Sequence, residues 1–155
     1  MAASPAAHSL QLATAPGRAE RAAFIGNTRS GKTTLMRTLA AGVSSLVVFD
    51  SKQNPTDWIE WAASQPDVAV TRDPSAIRRH ARVVLLVDSR ALQDRAGWAR
   101  QGSAGWAWTE ALGSVFFRIA EGASTLTIFD EAMHTLPLSP HPDARRLFTQ
   151  GAGLG

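Results

Sequence analysis

At 155 residues, 45% hydrophobic and 19% charged, the chain has the length of one domain and enough apolar side chains to bury a core. The formal net charge is only +3, and the pI near 10.5 overstates it, because a chain without Cys or Tyr has almost nothing to titrate between His and Lys. The lack of cysteine excludes disulfides and thiolate metal sites, no stretch approaches the roughly 20 apolar residues that span a bilayer, and the basic excess permits nucleic-acid binding without requiring it.

Residues 1–20, rich in Ala and Ser with Pro5 and Pro16, have neither the basic start nor the unbroken apolar segment of a secretory signal, and read as a flexible extension ahead of a domain over 21–155. A short apolar run at 22–25 predicts a strand. Directly after it, Gly26-Asn27-Thr28-Arg29-Ser30-Gly31-Lys32-Thr33 fits G-x-x-x-x-G-K-[ST], the Walker A phosphate loop, and 34–41 predicts the helix that follows. Strand, loop and helix in that order suit a polyphosphate. Glycines at both ends let the backbone N–H groups approach the anion, and the helix turns its positive dipole end toward it. In that arrangement Lys32 reaches the β- and γ-phosphates and the Thr33 hydroxyl ligates Mg²⁺. Lys32 and Lys52 are the only lysines among 16 basic residues, and a compact ammonium on a flexible stem suits phosphate oxygens.

Residues 45–50 form a continuous apolar run ending in Asp50, the pattern of a buried parallel strand. A polar turn through Pro55 follows, and Thr56 or Asp57 is expected to cap a helix over 58–63 with Trp58 and Trp61 on one face. Residues 68–71 read as a weak strand, 74–81 as a short helix capped by Asp73, and 83–88 as a strong strand. The segment 89–105 is polar and ambiguous. Apolar residues at helical spacing predict a helix over 106–121 ending at Gly122, and 125–129 a strand running into Asp130-Glu131. Strands alternating with helices imply a parallel α/β sheet with right-handed crossovers.

An apolar strand ending in Asp-Glu has the form of a Walker B element. Beside a phosphate loop, Asp130 is expected in the Mg²⁺ shell, and Glu131 is placed to orient and deprotonate a water. A hydrolase needs that second carboxylate, whereas a kinase transferring to a substrate hydroxyl does not. Other candidates stay open. Asp50 and Lys52 read equally as a strand end and as a nucleotide-proximal or subunit contact. Trp98, Trp106 and Trp108 near Arg95 and Arg100 read as core anchors or as a nucleic-acid platform. His134 is a candidate sensor of the γ-phosphate, and Arg118, Arg145 and Arg146 are candidate arginine fingers or solvated faces. His80 and His141 lack the spacing of metal ligands.

Taken together, residues 26–34, the run Val47-Val48-Phe49-Asp50-Ser51-Lys52, the run Ile128-Phe129-Asp130-Glu131-Ala132 with His134, and the tail 147–155 resemble the FtsK–HerA superfamily of DNA-translocating ATPases, which includes viral packaging and conjugation motors. Two places depart from the family pattern: Ala152 stands where Arg is common, and Ser51 and Gln53 stand where Pro and Gly are usual around the lysine. The resemblance implies a P-loop NTPase of the RecA-like (ASCE) type with strand order 5-1-4-3-2. It further implies ATP and Mg²⁺ as cofactors and residues 26–34, including Thr34, as the nucleotide site. The implied partners are double-stranded DNA, bound with low specificity, and further copies of the chain in a ring; the implied setting is the cytoplasm, or a host cytoplasm for a viral protein. In that order the strand after Walker B inserts between the Walker A and Walker B strands. The sequence ends at Gly155, where that strand would begin, so the expectation is a sheet lacking it. The alternatives kept beside this reading are a nucleotide or small-molecule kinase, and a nucleotide-binding assembly protein or inactive fragment.

Overall fold

The computed structural model describes residues 30–88 and 95–130. The strand expected over 22–25, loop residues Gly26, Asn27, Thr28 and Arg29, the acidic residue Glu131, and His134, His141, Arg145 and Arg146 lie outside the described residues.

Four strands, β1 (Leu46–Asp50), β2 (Val68–Thr71), β3 (Arg82–Leu86) and β4 (Leu126–Phe129), form one all-parallel sheet in the order β2-β3-β1-β4. The two most apolar runs become the two central strands: β1 is buried at all five residues, and β3 at four of its five. The helices are α1 (Lys32–Ala41), α2 (Glu60–Ala63), α3 (Ala76–Arg79) and α4 (Ala104–Ala120).

Alternation along β1 divides the core in two. Val47 and Phe49 pack on one face with Ile77 of α3 and Trp108, Ala111, Leu112 and Val115 of α4. Leu46 and Val48 pack on the other with Met36 and Ala40 of α1, Trp58, Ala62 of α2, and Ile128 of β4. Helices therefore cover both faces, as a sheet apolar on both sides requires. On the α4 face Phe49 stacks on Phe129 at 4.9 Å and meets Trp108 edge-on at 5.0 Å, the offset and T-shaped geometries that aromatic quadrupoles favour.

Three local expectations are corrected. The segment after β1 opens as a π-helical turn, Pro55–Ile59, ahead of a four-residue α2. Its cap is Asn54 rather than Thr56 or Asp57: the Asn54 side chain accepts from the Thr56 N–H, and Pro55 takes the first helical position, where its missing N–H costs nothing. The helix expected over 74–81 shortens to α3, with Asp73 accepting from the Ser75 N–H in the preceding turn and His80 already extended. The long helix begins at Ala104, two residues earlier than expected, because the Ser103 hydroxyl accepts from the Trp106 N–H at 3.1 Å and serves as its cap.

Candidate functional site

The orientation of α1 decides what faces what. Its last turn is tied to the start of β3, where the buried Arg82 guanidinium donates to the Ala40 carbonyl at 3.0 Å. Further up the helix, Arg37 donates to the Thr56 carbonyl at 2.8 Å and approaches Asp57 at 3.5 Å, and both of those residues follow the end of β1. Hence α1 runs antiparallel to the strands. Ten residues at about 1.5 Å each match the length of a five-residue strand at about 3.3 Å each, so the N-terminus of α1 reaches the C-terminal end of the sheet.

That N-terminus is Gly31-Lys32-Thr33. Gly31 holds the N-cap with φ +83, a left-handed conformation that glycine adopts without strain, and a Cβ there would meet nothing within 4 Å. Gly31 has no side chain with which to cap the helix, and the first turn carries no acidic residue. The Lys32 ammonium lies 3.5 Å from the Ser30 hydroxyl. Lys32 and Thr33 are half-buried and Thr34 is exposed.

At the same end of the sheet, and on the same face as α1, stand two aspartates. Strand alternation puts Asp50 in line with Leu46 and Val48, and Asp130 in line with Leu126 and Ile128. The Asp130 N–H donates to the Phe49 carbonyl at 3.1 Å, which carries the β1–β4 pairing one residue past β4 and sets the two acids side by side. Both are buried. The Asp50 Oδ1 accepts from the Gln53 N–H at 2.9 Å and the Lys52 N–H at 3.1 Å, closing the turn after β1, while its Oδ2 has no hydrogen-bond partner among the described residues. Burial pushes the Asp50 carboxyl above its ordinary range; the Gln53 and Lys52 hydrogen bonds oppose this, and the charges of Asp130 and Asp57 add to it. Within that turn Gln53 has φ +52, and its amide spans from Val87 O, to which it donates at 2.9 Å, to Arg72, from which it accepts at 2.5 Å.

Asp130 has a partner that local sequence spacing does not reveal. The indole N–H of Trp58, a fully buried residue, donates to Asp130 Oδ2 at 3.2 Å. The two residues are 72 positions apart, and the only sequence signal is a Trp soon after the strand that comes to lie beside β4.

Two other candidates are placed by their contacts and burial. Arg118 donates to the carbonyls of Ile77, His80 and Ala81 and to the Ser45 hydroxyl, binding α4 to the N-terminal end of the sheet, and burial lowers its pKa. A guanidinium engaged by three carbonyls is a cross-brace and not an arginine finger. Trp108 is a core residue, 2% exposed, and not part of a nucleic-acid platform. Trp98 and Trp106 are half-buried, with Arg95 and Arg100 exposed nearby. The ring of His80 is exposed, and Lys52 is exposed beside the buried Asp50.

Comparisons with protein-family models, with curated proteins and with solved structures return no match. No described helix is long and apolar enough to cross a membrane.

Proposed function

We propose that the chain is a P-loop NTPase domain of the RecA-like type, a Mg²⁺-dependent ATPase related to the FtsK–HerA motors that couples hydrolysis to the movement or packaging of double-stranded DNA as a homo-oligomeric ring. What carries the reading is that Gly31-Lys32-Thr33, at the N-terminus of α1, and the buried Asp130 belong to the same face and the same end of a parallel sheet. Ligands of open α/β sheets bind beyond the carboxyl ends of the strands, and a helix N-terminus without acidic residues there favours an anion.

Strand adjacency supports the same reading. In the order 5-1-4-3-2 the Walker B strand neighbours the second strand, as β4 neighbours β1 here; β3 and β2 extend the sheet beyond β1. On this reading residues 26–34 cradle the phosphates, Lys32 neutralises the β- and γ-oxygens, and Glu131 orients and deprotonates the attacking water. Thr33 and Asp130 would hold Mg²⁺. A hydroxyl and a carboxylate are the oxygen donors that a hard divalent cation takes, and Asp130 is a buried carboxylate already fixed through one oxygen. The metal would add positive charge against the developing negative charge on the phosphate oxygens.

Double-stranded DNA is expected to stimulate phosphate release from ATP, and the stimulation is expected to decline as salt rises, because each neutralised phosphate releases counterions. Phosphate transfer to a small acceptor with no response to DNA would replace the motor by a kinase.

A further inference from the structure

We propose that Trp58 is a positioning residue for Asp130, fixing the carboxylate's orientation toward the Mg²⁺ that the P-loop reading places there; the inference rests on that reading. Three contacts among the described residues bear on where Asp130 sits. Its N–H donates to Phe49 O at 3.1 Å, its carbonyl accepts from the Ser51 hydroxyl at 3.4 Å, and its Oδ2 accepts from the Trp58 indole at 3.2 Å. The first two fix the backbone. The third acts on the side chain, and it comes from a rigid bicyclic donor with zero exposure. A Trp N–H so buried normally finds a partner, and choosing a carboxylate over a neutral acceptor gives it a charge-assisted bond.

The segment bearing Trp58 is braced on both sides. Asn54 caps the turn and Pro55 stiffens its first position; Arg37 of α1 grips it at Thr56 O; and Trp61 packs edge-on against Trp58 at 5.4 Å. Its π-helical form is independently notable. The Glu60 N–H donates back to Pro55 O, five residues away, and such widened turns are frequent at functional sites. The turn thus links the helix that follows the phosphate loop to the Asp130 carboxylate, through Arg37 on one side and Trp58 on the other. A ligand carboxylate locked by an outer hydrogen bond spends less freedom on binding its metal, and losing such a partner typically costs 10- to 100-fold in metal affinity at ordinary metal sites.

Trp58→Phe on the full chain removes the N–H while keeping an aromatic ring, and Trp58→β-(3-benzothienyl)alanine, introduced at that one codon, also keeps the bicyclic volume. The readout is the Mg²⁺ concentration giving half of the Mg²⁺-dependent gain in ATP affinity, beside the affinity for ATP in EDTA. Both variants are expected to raise the Mg²⁺ midpoint by about tenfold, at the lower end of that range, with metal-free ATP affinity within about twofold of the parent. On an Asp130→Asn background the same changes are expected to add nothing, because Trp58 acts through that carboxylate. An unchanged Mg²⁺ midpoint in the isosteric variant of a parent that does bind Mg-ATP overturns the positioning role alone. A penalty that adds in full on the Asp130→Asn background also overturns it, by showing a packing effect. A parent that binds no Mg-ATP overturns the P-loop reading and this inference with it.

Discussion

Asp50 is ionisable, fully buried and satisfied at only one of its two oxygens among the described residues, which fixes the sign of its pH dependence. Its folded-state pKa is raised above the ordinary 3.8, so its contribution to stability is complete below that value and is lost as pH rises through the folded-state pKa. Asp50→Asn keeps the Oδ1 that accepts from Lys52 and Gln53 and removes the ionisation. The variant is expected to melt on the order of a few degrees above the parent at pH 7, the shift that about 1 kcal/mol gives in a domain of this size. The gap should close as pH falls toward 3.8. Thermal melts across that range check it, and a gap that widens on acidification would reverse the assignment. Asp67 behaves oppositely. Its hydrogen bond from Arg82 holds its carboxyl below the usual range, so its contribution is present above 3.8 and fades as pH falls through the lower folded-state pKa.

Between elements, Arg82 has the widest reach of the buried polar residues. It opens β3, donates to Ala40 O at the end of α1, pairs with Asp67 at 2.7 Å, and lies 5.8 Å over the Trp61 ring. Arg82→Met keeps the apolar stem and loses the Ala40 and Asp67 bonds, an expected cost of about 1–3 kcal/mol, in the range of charged hydrogen bonds. Asp67→Asn should cost markedly less, because the Asp67 side chain is 60% exposed and water takes over its role. Urea unfolding of both variants measures the difference; equal losses would mean that the ion pair, and not the grip on α1, carries the stability.

The same elements show why some of the fold was legible and some was not. The runs expected at 45–50, 83–88 and 125–129 are short and apolar and emerged as β1, β3 and β4, because an apolar run in a parallel sheet declares itself without contacts outside it; the weak run at 68–71 emerged as β2, which has no buried residue. The π-helical turn was hidden, since the contacts that brace it, Arg37 of α1 on Thr56 and Trp58 on Asp130, lie far off in sequence. The start of α4 was masked by polar, glycine-containing neighbours, although Ser103 was there to be read as its cap. Of the candidate site, Lys32, Thr33 and Asp130 were visible from motif spacing. Trp58 was not, because a 72-residue contact leaves no periodicity, and Arg118 looked like a free surface arginine until its carbonyl partners were seen.

The sheet's two apolar faces are covered by α1 and α2 on one side and by α3 and α4 on the other, and the buried Asp50 and Asp130 stand side by side at its C-terminal end. At the opposite end Arg118 and Arg82 tie helices to strand starts. This polarity underlies the central claim that the end bearing Gly31, Lys32, Thr33 and Asp130 binds a nucleoside triphosphate. Calorimetric titration of Mg-ATP into the parent chain and into Lys32→Ala tests it most directly, with circular dichroism confirming an unchanged fold. The parent is expected to bind, and the variant to bind about tenfold or more weakly, a loss of about 1.4 kcal/mol or more; a parent that does not bind, or a variant with the parent's affinity, would contradict it.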